Sequence, residues 1–63
     1  MSDAEAADYL MAEFNTLSDE KRAEMCALAA DAGYEIFGAA VLLETEFKVS
    51  IGQVITFLTE VCG

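Results

Sequence analysis

Apolar positions along the chain recur at helical spacing in four successive stretches. In the first, from about Asp3 to Thr16, Ala6, Ala7, Leu10, Phe14 and Leu17 share one face. Glu5, Asp8, Ala12, Glu13 and Thr16 share the other, and Ser2 stands three residues before Glu5, the spacing of a capping box. The second stretch runs from about Asp19 to Ala32. Ser18 is placed to cap it, Asp19 and Glu20 suit the positive end of a helix dipole, and Gly33 is placed to end it in a left-handed turn. Its apolar stripe is narrow: Met25, Leu28, Ala29 and Ala32.

The third stretch, about Tyr34 to Phe47, is apolar nearly all round. Ile36, Ala40, Leu43 and Phe47 make one stripe, while Phe37, Val41 and Leu42 point elsewhere. Such a helix is either central or half of an interface, and Gly38 permits close helix contact. The fourth, about Ile51 to Cys62, is amphipathic, with Val54, Phe57, Leu58 and Val61 on one side and a Ser50–Gln53 capping box before it.

These patterns predict an all-α fold, a small bundle of three or four short helices forming a single acidic domain over residues 1–63. The expected core is Leu10, Phe14, Leu17, Met25, Leu28 and Ile36, continuing through Ala40, Leu43, Phe47, Val54, Phe57, Leu58 and Val61. One segment conflicts. Phe47, Val49 and Ile51 alternate with polar residues, and Gly52-Gln53 fits a two-residue turn, so the alternative is a C-terminal β-hairpin at about 46–59.

Composition alters the picture in one respect. Hydrophobic residues are 56% of the 63, above the roughly 45–50% of ordinary globular chains. Small domains have proportionally more surface to keep wet. The excess predicts apolar surface left for a partner or a second copy, and hence a homodimer through the third or fourth helix.

Charge alters it further. Twelve acids against three bases give net −9, which opposes direct binding to nucleic acid or to anionic membranes. The acids are uneven: nine acids and two bases up to residue 35, net −7, then three acids and one base, net −2. Carboxylates on successive helical turns lie about 6 Å apart along the axis, comparable to neighbouring phosphates of one DNA strand, so a helical surface with Glu5, Asp8, Glu13, Glu20, Glu24 and Asp31 could occupy a basic groove meant for nucleic acid. Tyr9 stands among them and is the kind of aromatic that anchors interfaces. A basic protein surface, such as that of a nucleic-acid-binding complex, is therefore the expected partner, met by Glu5, Asp8, Tyr9, Glu13, Glu20, Glu24 and Asp31.

Catalytic chemistry finds no foothold. The chain has no histidine, its four glycines are scattered, and its serines all look like helix caps. No enzyme activity, cofactor or metal is predicted. Cys26 and Cys62 form no CxxC and read as apolar fillers with reduced thiols. Residues 2–8 are acidic and alanine-rich where a leader would be basic then apolar, so a cytoplasmic protein is expected.

Two resemblances add to this reading. Residues 41–51, VLLETEFKVSI, followed by GQVITFL, resemble the second half of an acyl carrier protein. The family's Asp-Ser-Leu attachment site has no counterpart in Ala32–Phe37, so the resemblance implies at most a degenerate carrier-like domain. In length, acidity and lack of catalytic groups the chain also resembles small phage-encoded inhibitors of host defence, of the anti-CRISPR and DNA-mimic kind. That resemblance implies a stoichiometric inhibitor acting in the host cytoplasm. A generic helical adaptor or subunit is the remaining expectation.

Overall fold

Serine side chains start three of the four helices. In the computed structural model, which describes residues 1–63, the Oγ atoms of Ser2, Ser18 and Ser50 accept from the backbone amides of Glu5, Lys21 and Gln53 at 3.2, 3.2 and 3.1 Å. Glu5 and Gln53 complete capping boxes by accepting from the amides of Ser2 and Ser50. Each such cap contributes about 1 kcal/mol. The helices they open are α1 (Asp3–Asn15), α2 (Asp19–Ala32) and α4 (Ile51–Cys62). Between them lies α3 (Tyr34–Glu44), separated from α2 by Gly33 alone. There are no strands. Gly33 has φ +97 and ψ 143, outside the left-handed helical region expected for it but still a conformation that favours glycine.

The predicted all-α bundle is the fold, and the hairpin alternative at 46–59 is not formed. The alternation that suggested it has another origin. Val49 plugs the core from the α3–α4 turn, while Phe47 and Ile51 stay outside.

The third helix is shorter than its apolar run predicts. It stops at Glu44, and the chain closes with two bonds that wrap its end: the Phe47 amide donates to the Leu42 carbonyl and the Glu46 amide to the Leu43 carbonyl. This is a Schellman closure, which ordinarily carries glycine in the left-handed position. Here Glu46 and Phe47 occupy it, at φ 56 and 61.

Helix α4 is the centre of the bundle and packs on α1, α2 and α3. Its predicted stripe faces inward: Val54, Phe57 and Leu58 are buried and Val61 is half-buried. Ala6 and Leu10 from α1 join them, and Phe14 meets Phe57 edge to face with ring centroids 5.6 Å apart. Gln53 ties the N-terminal ends of α1 and α4 by donating to the Asp3 carboxylate and the Met1 carbonyl, at 3.0 and 3.1 Å. The radius of gyration is 10.6 Å, the value of about 11 Å expected for a compact chain of this length.

Two expectations are corrected. First, α3 is turned about half a revolution from the orientation its stripe implied. Ile36, Ala40, Leu43 and Phe47 are exposed, and so is Leu28 of α2. The inward face is Tyr34, Phe37, Gly38, Val41, Leu42 and Thr45. The notch at Gly38 decides this. A Cβ there would lie 3.3 Å from Ile51 Cδ1 and 3.5 Å from both Val54 Cγ1 and Ile55 Cγ1. Helix α4 therefore comes closest where α3 has no side chain, a preference the apolar pattern does not carry. Second, the cysteines are not separate fillers with free thiols. Cys26 and Cys62 form a disulfide, Cα atoms 5.3 Å apart, which ties α2 to the end of α4. The helix pattern places Cys26 on the flank of α2's inward side, beyond Ala29 from Met25, and the last turn of α4 brings Cys62 to it.

Candidate partner-binding surface

All twelve acidic residues are exposed. Cationic partners are few. Lys21 lies 3.5 Å from Glu24, Arg22 pairs with Asp19, and no other carboxylate has an ion pair. Glu20, Asp8, Glu13 and Asp31 thus project unpaired into solvent. Glu5 is exposed as well, but its carboxylate is held by the cap: bonds from the backbone amide and then the hydroxyl of Ser2 keep its pKa below the ordinary glutamate value. Glu24 shares Lys21. The predicted acidic residues are therefore not equivalent, and Asp8, Glu13, Glu20 and Asp31 are the four with neither an ion pair nor a cap to maintain.

Helices α1 and α2 meet where the Arg22 guanidinium stands 5.9 Å from the centroid of the Phe14 ring. Helix α1 packs on α4, and α2 packs on α3 and α4. What their acids share is the outside of the bundle.

Tyr9 departs from its expected setting. Its ring is half-buried and packs on the core cluster. The Lys48 ammonium stands 5.9 Å from the ring centroid, a cation–π arrangement that ties the α3–α4 turn to α1. Tyr9 is thus part of the wall of a cleft rather than a free-standing anchor.

That cleft is the main concavity of the molecule, with a volume of about 270 Å³. Leu10, Phe14, Val41, Phe57 and Leu58 form its apolar lining, and Leu17 and Met25 extend it toward α2. Its only charged lining residues are Glu13 and Glu44. Thr45, also in the wall, spends its hydroxyl on the Leu42 carbonyl at 2.9 Å, and no buried side-chain polar atom lacks a partner. The cleft presents apolar surface and carboxylate charge, with the Tyr9 hydroxyl at its wall. Sequence reasoning placed most of these side chains in the core. The cleft arises because Phe14, Leu17, Met25 and Val41 are only half-covered.

A second feature is the outer face of α3. Ile36 is 70% exposed and Leu43 and Phe47 are each 65% exposed. Glu35, Glu44 and Glu46 lie beside them in the sequence and are also exposed.

No group of three or more histidine, cysteine or carboxylate side chains is arranged to hold a metal ion, and no helix is long and apolar enough to cross a membrane. No protein-family model matches the chain, and neither a curated protein nor a solved structure matches it.

Proposed function

We propose that this chain is a non-catalytic interaction protein whose acidic exterior occupies a basic, nucleic-acid-binding surface of a partner and so inhibits it stoichiometrically. The observation that supports this reading is the set of twelve exposed carboxylates, of which only Asp19 and Glu24 have ion pairs. Unpaired surface carboxylates are free to exchange their counterions for the lysines and arginines of a partner. Long-range attraction then speeds encounter, and salt weakens it. Nucleic acid offers the same charge to the same surface and should compete.

The test is capture from a cell lysate on the immobilised protein, with and without duplex DNA, beside a variant carrying Asp8→Lys, Glu13→Lys and Glu20→Lys. These three positions leave the Ser2–Glu5 cap and the Lys21–Glu24 pair intact. Capture of nucleic-acid-binding proteins that DNA displaces and the variant loses is the expected result. Equal capture by the variant would remove the reading.

The outer face of α3 favours a second association, between two copies of the chain. Ile36, Ala40 and Leu43 follow the four-then-three spacing of a helix–helix seam, and a small residue at its centre lets two helices approach. Two copies of net charge −9 repel, so this homodimer should tighten as salt is raised, the opposite of partner binding. The Cys26–Cys62 bond bears on location. An oxidising compartment preserves it, and the cytoplasm expected from the sequence would open it.

A further inference from the structure

Resting on the acidic-surface reading, we propose that the cleft between α1, α3 and α4 receives a single bulky apolar side chain from a basic amphipathic helix of the partner. The partner chemistry follows from the lining. Seven apolar side chains, Leu10, Phe14, Leu17, Met25, Val41, Phe57 and Leu58, offer surface that only an apolar group can cover with gain. The cleft's volume is about 270 Å³, at the low end of the roughly 300–1,000 Å³ of small-molecule sites. One bulky side chain can enter it. Of the lining hydroxyls, those of Thr16 and Thr45 donate to the Glu13 and Leu42 carbonyls, which leaves only that of Tyr9 without a partner in the chain.

The rim favours a basic occupant. Glu13 stands on the α1 side and Glu44 on the α3 side, both exposed and neither ion-paired, while the nearby cations, Arg22 and Lys48, stand over the Phe14 and Tyr9 rings, each 5.9 Å from the centroid. An anchor entering between Glu13 and Glu44 passes two carboxylates. Lysine or arginine one turn before and one turn after the anchor on a helix lies about 5–6 Å from it, which puts positive charge beside an anchor that these carboxylates flank. A second copy of this chain supplies the wrong charge for that role, since acids outnumber bases twelve to three. Tyr9, held under Lys48, closes one wall beside Glu13.

The chain contains no tryptophan, so a peptide's own tryptophan reports its burial without interference. The peptide is a synthetic amphipathic helix with one central Trp and Lys residues four before and four after it. Its control has Trp→Ala. The expected result is a blue-shifted emission on binding and at least tenfold weaker binding of the control, read by competition. Glu13→Lys with Glu44→Lys should weaken the Trp peptide at least tenfold, more than Glu20→Lys with Glu60→Lys, which makes the same charge change away from the cleft. Both double variants alter exposed residues, and their helical spectra confirm folding.

If the Ala control binds as tightly as the Trp peptide, or the two double variants weaken binding equally, the cleft proposal is overturned while the acidic-surface reading stands. If neither peptide binds, the cleft proposal falls, and the lysate capture decides the acidic-surface reading separately. If light scattering shows the Trp peptide displacing a second copy one for one, the cleft belongs to the dimer and its assignment to a basic helix is wrong.

Discussion

Glu46 and Phe47 hold consecutive left-handed backbone conformations at the end of α3. For residues with a Cβ this costs about 1–2 kcal/mol each. Val49 lies two residues on, buried, and fixes where the turn must end. The turn is therefore strained by the need to seat Val49 and start α4. Glu46→Gly should raise stability by about 1 kcal/mol, seen as a higher denaturant midpoint with an unchanged slope. Phe47→Gly should do the same and also remove an exposed ring. Glu5 makes a separate prediction at this scale. Its pKa is lowered by the two Ser2 bonds, so its capping contribution is complete above the ordinary glutamate value. That contribution is lost as pH falls through the lowered one. A carboxyl NMR titration should place the Glu5 midpoint below the usual glutamate value. A midpoint at or above it would mean the cap does not persist in solution.

Helices were more legible in the sequence than their orientations. Ser2, Ser18 and Ser50 mark three starts by a local mechanism, the side chain reaching its own third-next amide, and local mechanisms are written in local sequence. Helix α4 was legible in its stripe, because Gln53, Thr56 and Glu60 leave only one face apolar, although the alternation of Phe47, Val49 and Ile51 kept a hairpin open over its first residues. Helix α3 is not, because its composition allows either face to go inside, and the choice falls to the Gly38 notch against Ile51 and Val54. The disulfide is a similar case, set by where α2 and α4 meet. Closing a 36-residue separation stabilises a fold by about 4 kcal/mol in the chain-entropy account. That is large beside a core in which Val54 and Leu58 are the only large side chains fully buried. Cys26→Ser with Cys62→Ser should lower the melting temperature by about 15–30 °C, since 1 kcal/mol is about 4–8 °C at this size. A calorimetric change below about 5 °C would show that the covalent tie contributes little. The α3 face makes its own prediction. Leu43→Lys should leave the fold unchanged, as Leu43 is 65% exposed, and abolish self-association in sedimentation, whereas a dimer that survives it uses another surface.

For the whole molecule, charge and apolar excess are both accounted for at the surface. Net −9 on 63 residues accompanies an α3 face and a cleft that the other helices leave uncovered. The composition foretold this division between acids outside and apolar surface left over. It did not foretell that the leftover would be one helix face plus a cleft, because both depend on how α1 and α3 sit on α4. The candidate acids were readable as a set. Their ranking was not, since only the folded chain shows Glu5 bound to Ser2 and Glu24 beside Lys21. The most direct test of the central claim is the dependence of partner affinity on salt. Once a captured partner is purified, its dissociation constant should be measured at several concentrations between about 50 and 200 mM, with the parent protein and with the Asp8, Glu13 and Glu20 reversal. The account predicts a steep linear fall of log affinity with log salt for the parent, and little binding by the variant. A flat salt dependence with equal affinity for both proteins would contradict it.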